Sequence, residues 1–259
     1  MTSVFFQVFC LLVFCSLLQA DWSTWRGPDN DGLSDSIKLP DSWSETENLD
    51  WKFSLPAAGS STPIVVKDKI FLTFEQDNEV KAMAIGVDGR GLWTRVVCQT
   101  KGKGNGEKTF ASPTPSSDGK LLFVTTGTGE VVAFDLEGLE KWRFNAQDRY
   151  GKFRYGFGFH STTVLHEGRL YLQLIHSAAQ LVVCIDGQSG KEVWKVERES
   201  DGVAECEHSY ASPTAYRKDD LNVLITHGND YCIGHDPDTG KEIWRVAGLN
   251  PKNQYNRTL

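Results

Sequence analysis

The chain has 259 residues, 40% of them hydrophobic, and its 27 basic and 34 acidic residues give a formal net charge of −7. This composition is typical of a folded globular protein and excludes a basic stripe of the kind that binds nucleic acid. The basic segment Lys101–Lys108 is short and rich in glycine and lacks the spacing of a phosphate-binding loop, so it is interpreted as a loop between repeats.

The first 20 residues predict a secretory signal peptide. The run Val4–Leu18 is apolar and uncharged, and a Gln-Ala pair follows it before the polar Asp21, which fits cleavage after Ala20. The run is short for a membrane-spanning helix, which needs about 20 apolar residues. We therefore expect an exported, periplasmic or extracellular protein without a membrane span, beginning with a leader segment over 21–48. An uncleaved anchor is the alternative.

Five tryptophans recur along the remaining chain at a nearly constant interval. Successive members are separated by 42, 49, 52 and 50 residues, by subtraction of their positions. They are Trp51, Trp93, Trp142, Trp194 and Trp244. A fixed period of this length indicates an array of one supersecondary unit. Because each position recurs in every unit, we interpret these tryptophans as structural wedges between neighbouring units.

Each unit contains a β-hairpin with a chemically specified turn. The segment Asp186–Trp194 aligns without a gap on Asp236–Trp244, and an apolar run such as Leu181–Ile185 precedes each copy. The leading aspartate can bond its own backbone, and Gly190 and Gly240 tolerate the positive φ of a tight turn. These residues are therefore predicted to build the scaffold.

Two further apolar strands precede each hairpin. Runs such as Leu121–Val124 lack strict alternation, as expected for strands covered on both faces. Four strands per period predict an all-β fold, a β-propeller of four-stranded antiparallel blades. The predicted blades comprise residues 60–97, 110–146, 160–198 and 211–248, within a repeat domain over 49–248.

The hairpin motif carries a family resemblance. The element Asp-x-x-(Thr/Ser)-Gly-Lys-Glu-x-Trp at 186–194 and 236–244 resembles the repeat of the PQQ-like (pyrroloquinoline quinone-like) β-propeller superfamily. The segment Trp25–Gly32 is similar to the leader of secreted members. The resemblance covers about residues 50–248. It implies a propeller, usually of seven or eight blades, and does not by itself imply PQQ binding.

The predicted blades leave two segments unpaired. Residues 49–55, around Trp51, read as one outer strand without its three partners, and residues 249–259 read as a tail that begins a further blade. We therefore expect a partial chain, the N-terminal part of a longer protein. A closed four-bladed ring is the alternative.

No catalytic, cofactor-binding or metal site is predicted. Quinoprotein alcohol dehydrogenases, which share the repeat, hold their cofactor beneath a disulfide of adjacent cysteines, and the sequence has no Cys-Cys pair. Asp29–Gly32 does not fit an EF-hand, because Gly27 and Lys38 occupy its first and twelfth positions. Zinc-ligand spacing and a Gly-x-Ser-x-Gly nucleophile motif are also absent.

The cysteines beyond the leader are expected to be free thiols, with disulfides as the alternative: Cys98, Cys184, Cys206 and Cys232.

One feature predicts binding. The segments that lead into the third and fourth blades combine aromatic residues, glycine and histidine. In a propeller, such segments lie at one end of the central channel, where ligands and partners usually bind. The predicted partner-binding face comprises His160, Ser161, His208 and Tyr210. The alternative is that Phe157 and Phe159 pack between blades and the histidines are solvated.

We expect a non-catalytic binding or scaffold module for a protein or glycan partner. The alternative function is the N-terminal part of a PQQ-dependent oxidoreductase whose catalytic residues lie elsewhere.

Overall fold

A computed structural model describes residues 21–36, 39–101, 109–228 and 230–249. These residues form four four-stranded antiparallel sheets, each made of consecutive strands in simple up-and-down order. The expected all-β architecture of four-stranded blades is confirmed. The predicted signal peptide, most of the predicted tail and nearly all of the basic loop lie outside the described residues.

The strands follow one another without crossovers between blades. Blade 1 contains β1 (Ile64–Val66), β2 (Lys69–Gln76), β3 (Glu79–Gly86) and β4 (Gly91–Gln99). Blade 2 contains β5 (Ser116–Ser117), β6 (Leu121–Thr125), β7 (Glu130–Asp135) and β8 (Glu140–Asn145), followed by the short helix α1 (Ala146–Tyr150). Blade 3 contains β9 (Val164–His166), β10 (Arg169–His176), β11 (Ala179–Asp186) and β12 (Glu192–Glu197), followed by a 3-10 helix (Ala204–Glu207). Blade 4 contains β13 (Thr214–Lys218), β14 (Leu221–His227), β15 (Tyr231–His235) and β16 (Glu242–Ala247).

The central strands of the first three blades are mostly buried on both faces. Every residue of β6 is buried, whereas β12 and β16 consist of half-buried and exposed residues. Side chains of adjacent blades meet in shared apolar clusters, such as the one that joins Phe71 of β2 to Leu122 of β6. Burial against a neighbour on each side explains why the sequence of these strands does not alternate between apolar and polar residues.

The hairpin turn closes as its sequence predicts. The Asp186 carboxylate accepts a hydrogen bond from the Ser189 amide at 2.8 Å, and the Gly190 amide donates to the Asp186 carbonyl at 2.9 Å. Gly190 has φ +67°, and a Cβ at this position would lie 2.7 Å from the Trp142 ring. Glycine is therefore required both for the left-handed backbone and for the close approach of the indole.

The outer-strand tryptophans of the first three blades, Trp93, Trp142 and Trp194, contact the hairpin turn of the following blade. The indole N–H of Trp93 donates to the Leu136 carbonyl at 3.0 Å, and that of Trp194 donates to the Pro237 carbonyl at 2.9 Å. A small residue opposite each tryptophan on the third strand lets the indole lie across the sheet: Ala84, Ala133, Cys184 and Gly234. The indole thus links adjacent blades by both packing and hydrogen bonding.

The structure differs from the sequence expectation at residues 49–55. This segment forms no strand; instead it lies against the outer face of blade 1. The Trp51 indole donates to the Val87 carbonyl at 2.8 Å, and Phe53 and Ala57 pack against a cluster that includes Phe74. The segment therefore covers blade 1 where a preceding blade would otherwise lie, without pairing its backbone.

The leader segment is ordered by contacts with the blades. Trp22 forms an isolated antiparallel bridge with Val65 of β1, and the Ser23 carbonyl accepts a hydrogen bond from the Ser117 amide of β5 at 2.9 Å. The leader therefore crosses from blade 1 to blade 2, which places its next residues beside the inner segments of the blades.

Candidate binding site

A cavity of about 760 Å³ lies where the inner segments of all four blades meet the leader. This volume is within the range of roughly 300–1,000 Å³ that is typical of small-molecule sites. Among the lining residues that the structure describes, none is Asp, Glu or Lys, and nine carry hydroxyl groups. The nine are Ser60, Thr62, Thr109, Ser112, Thr114, Thr162, Tyr210, Ser212 and Thr214. The wall of the cavity is therefore polar but nearly uncharged.

Equivalent hydroxyl groups connect one blade to the next along this wall. The Thr62 amide donates to Thr114 Oγ1 at 3.0 Å, and the Thr114 amide donates to Thr162 Oγ1 at 3.1 Å. The Thr162 amide donates to Ser212 Oγ at 2.9 Å. We call the three accepting side chains, Thr114, Thr162 and Ser212, the hydroxyl ladder. It explains why each unit begins with small hydroxylated residues.

Among the described lining residues, the leader contributes the one indole, of Trp25, and the one guanidinium, of Arg26. Trp25 is 42% exposed, and Arg26 donates to the Asp31 carbonyl at 3.1 Å. Both residues lie in a turn closed by the Gly27 amide, which donates to the Thr24 carbonyl at 3.1 Å. The turn holds both side chains in the same cavity wall as the hydroxyl ladder.

Only part of the predicted partner-binding face lines the cavity, although the Tyr210 hydroxyl lies 3.5 Å from His208 Nδ1. His160 and Tyr210 both line the cavity. Ser161 is buried, and its hydroxyl donates to the Ala211 carbonyl across the blade junction at 2.8 Å. His208 accepts a hydrogen bond from the Gly156 amide at 3.3 Å and so supports the loop before blade 3. The binding role of these residues stays a prediction.

The aromatic residues before blade 3 form a cluster beside the cavity. Phe159 is buried, whereas Phe157 is partly exposed and contacts the Tyr210 ring with centroids 6.1 Å apart. The Tyr155 hydroxyl accepts from the Ile175 amide at 3.2 Å, and its ring lies 4.7 Å from that of His176. This cluster fixes the loop that carries His160.

Two buried groups in this region have no recognisable signal in the sequence. Burial lowers the pKa of His176 to about 4, with a further decrease from the charges of His208 and Arg154, so its imidazole is neutral. Gln173 is fully buried, and its amide group donates to the His227 carbonyl at 2.9 Å and accepts from the His227 amide at 3.2 Å. Because these two polar residues do not recur with the repeat, the sequence alone does not predict their buried contacts.

A buried ion pair lies outside the cavity, at the junction of blades 3 and 4. Arg198 donates to the Asp230 carboxylate at 2.7 Å, and both side chains are 1% exposed. Arg198 also donates to the side-chain oxygen of Gln180 at 2.9 Å. The pair is fully enclosed and serves the packing of the two blades.

The structure describes all four predicted cysteines, and each is a free thiol. Burial raises the pKa of Cys184 to about 11, and it also raises the pKa values of Cys98 and Cys232. These thiols are therefore protonated at neutral pH and are poor nucleophiles.

Within the described ranges, no group of three or more His, Cys, Asp and Glu side chains could hold a metal ion. No helix in the described part of the chain is long and apolar enough to cross a membrane.

Comparison with known families gives one matching model. Its description is outer membrane protein assembly factor BamB, and it matches residues 42–143 and 76–256. No curated protein matches the sequence.

Several solved structures share the fold at low sequence identity. BamB from Moraxella catarrhalis has a TM-score of 0.52 and 13% identity, with 76% of this chain and 54% of that chain covered. Quinohemoprotein alcohol dehydrogenase from Comamonas testosteroni has a TM-score of 0.62 and 14% identity, with 91% and 42% covered. A europium-containing methanol dehydrogenase has a TM-score of 0.57 and 14% identity, with 80% and 44% covered. The chain thus spans about half the length of these structures, and the expected PQQ-like β-propeller fold is confirmed.

Proposed function

Because the chain belongs to the family of PQQ-like repeat proteins described as outer membrane protein assembly factor BamB, we propose that it is an exported, non-catalytic propeller. It binds a protein or glycan partner at the cavity between the inner segments of its blades. Neither the structural neighbours nor the fold decides between binding and catalysis, since the neighbours include BamB and two dehydrogenases. The chemistry of the cavity wall supports binding.

The observation that carries this proposal is that the described residues of the cavity wall combine many hydroxyl groups with no carboxylate. The described wall includes the imidazoles of His160 and His227, the side-chain type most often used in general acid–base catalysis, but no carboxylate among the described lining residues orients either of them, and the hydroxyl groups of Ser and Thr do not titrate near neutral pH. Recognition needs donors and acceptors at fixed positions, which the hydroxyl ladder supplies. His160 and Tyr210 add two larger polar side chains at the same wall.

The second candidate function is quinone-dependent oxidation, because two of the structural neighbours are dehydrogenases and one of these is a quinohemoprotein. A quinone cofactor with its metal ion requires several oxygen ligands and a carboxylate base. The part of the cavity wall that the structure describes contains no Asp or Glu, and the described residues contain no cluster that could hold a metal ion. The residues present therefore do not fit this cofactor, and no catalytic step is derived from it.

Photo-crosslinking tests the location of binding. A benzophenone amino acid replaces His160 in the full chain expressed in its host, and the matched control replaces Trp43, which is 73% exposed and lies in the leader away from the cavity. We expect a discrete adduct, identified by mass spectrometry, from position 160 alone. Adducts of equal yield from both positions, or none from position 160, would contradict a binding site at the cavity.

Two further measurements test the other parts of the proposal. The purified protein is incubated with PQQ, Ca²⁺, a primary alcohol and a redox dye, and we expect no dye reduction above the rate without protein. Export predicts that the mature protein begins at Asp21, which intact-mass measurement of the extracytoplasmic fraction would show. Turnover of the alcohol would overturn the non-catalytic role, and a full-length cytoplasmic protein would overturn export.

A further inference from the structure

We propose that the cavity binds a saccharide that carries a carboxylate, with Trp25 beneath one face of the sugar ring and Arg26 paired with the acid. The inference rests on the proposed function, because it names the chemical class of the ligand for the same cavity. Three independent features of the described wall lead to it: hydroxyl donors, an exposed indole and an arginine with no carboxylate among the described lining residues.

The hydroxyl ladder presents donors that the protein does not use. Thr114, Thr162 and Ser212 each accept one backbone N–H, and within the described residues none of the three hydroxyl protons has a protein acceptor. A hydroxyl group has one proton and two lone pairs, so each side chain can still donate one bond and accept another. A saccharide offers a matching row of oxygens that both donate and accept.

Trp25 supplies the apolar part of saccharide recognition. The residue is 42% exposed, lies at the cavity wall and stacks on no other described aromatic ring. The C–H groups on one face of a pyranose ring are apolar, and they pack well against a large aromatic surface. The turn at Thr24–Gly27 holds the indole in place, so little side-chain entropy is lost when a ring stacks on it.

Arg26 gives the cavity a net positive charge. It is the sole Arg or Lys among the described lining residues, and its guanidinium donates a hydrogen bond to the backbone carbonyl of Asp31. A guanidinium pairs with a carboxylate through short, charge-assisted hydrogen bonds. The cavity should therefore prefer an acidic sugar to a neutral sugar, and a neutral sugar to an amino sugar.

An extended peptide fits this wall less well. A peptide that adds to a sheet edge needs free backbone N–H and C=O groups. The amides of Thr62, Thr114 and Thr162 already donate to side chains of the following blade. The groups left to a ligand are side-chain hydroxyls, which favours a polyhydroxylated molecule over a polypeptide backbone.

Ligand-observed NMR titrations test the inference with glucuronate, glucose and glucosamine as probes. Glucuronate is expected to bind at least threefold more tightly than glucose, and glucosamine most weakly. Trp25→Ala should weaken glucuronate binding at least tenfold, whereas Trp43→Ala, the matched leader control, should change it less than twofold. Arg26→Gln should remove the preference for glucuronate over glucose and retain glucose binding.

The outcomes separate this inference from the proposed function. Equal losses in the Trp25→Ala and Trp43→Ala proteins, a preference for glucosamine, or no binding of any probe would each overturn the saccharide inference. A peptide or protein adduct at position 160 without saccharide binding would overturn it as well, and that outcome would leave the proposed binding function intact. Circular dichroism melts of each variant verify that it is folded.

Discussion

The indole nitrogen of Trp142 donates a hydrogen bond to the carbonyl oxygen of Gly187 in the following blade, 2.9 Å away. The same ring also packs over Gly190 of that blade. Because the contact recurs at each described junction, the stability of a blade depends on its neighbour as well as on its own strands.

Gly190→Ala should lower the free energy of unfolding by about 2–3 kcal/mol, because the new methyl group meets the Trp142 ring and the residue keeps a positive φ. Gly119→Ala is the matched control, since Gly119 has φ +83° but no heavy atom lies within 4 Å of the point that its Cβ would occupy. It should cost only about 1 kcal/mol. Urea unfolding measures the loss of unfolding free energy in both variants. Equal losses would contradict a steric contribution from the Trp142 ring.

Replacement of tryptophan by phenylalanine should depend on the blade. Trp142→Phe loses the bond to Gly187 and part of the packed ring, and we expect a loss of about 1–2 kcal/mol. Trp244 donates to no acceptor within the described residues, so Trp244→Phe should cost less than about 1 kcal/mol. Chemical denaturation of the two variants compares them, and a larger loss for Trp244→Phe would contradict this account.

Arg198→Met should destabilise the protein by about 3–5 kcal/mol, because it leaves the Asp230 carboxylate buried without its partner. A double variant, Arg198→Met with Asp230→Leu, removes both charges and should recover at least half of that loss. Equilibrium unfolding at neutral pH provides the comparison. If the double variant is less stable than the single one, packing rather than the unpaired charge determines the loss.

The buried imidazole of His176 predicts a stability change below neutral pH. Its folded pKa of about 4 lies below the ordinary value of 6.5, so the unfolded chain binds the proton more strongly. The free energy of unfolding should therefore fall as the pH decreases from about 6.5 towards 4, by up to about 3 kcal/mol from this group. Above pH 6.5 the contribution is constant.

His176→Asn tests this dependence, because the asparagine oxygen can still accept the Ala178 amide that bonds to the imidazole. We expect a shallower decrease of stability between pH 6.5 and 4 than in the unmodified chain. The difference between the two slopes isolates the histidine from carboxylates that titrate in the same range. Identical slopes would show that His176 is protonated readily in the folded state.

The sequence predicts the blades well because their determinants are local. The turn at Asp236–Gly240 bonds to itself, with the Asp236 carboxylate accepting from the Thr239 amide at 2.9 Å, so its residues specify it wherever it occurs. Residues 49–55 are different. Their composition suits a strand, but a strand needs a partner edge, and the structure provides a sheet face instead.

The cavity is only partly predictable from the sequence. His160 and Tyr210 are recognisable from aromatic and histidine content, and both line it. The sequence predicts Trp25 and Arg26 only as parts of a leader. The leader contacts Val65 and Ser117, which are distant in the sequence, and these contacts produce no repeating sequence pattern. Partners that are far apart in the chain cannot be read from local spacing.

The hydroxyl ladder has a consequence for how such a chain could grow. Thr114 both accepts from the preceding blade and donates its amide to the following one. A duplicated segment of one repeat would therefore bring its own acceptor and its own donor, and it would fit between two existing blades without any compensating change. Tandem duplication could thus lengthen the array while the inner wall keeps its chemistry, and new ligand contacts would arise only where a copy later diverges.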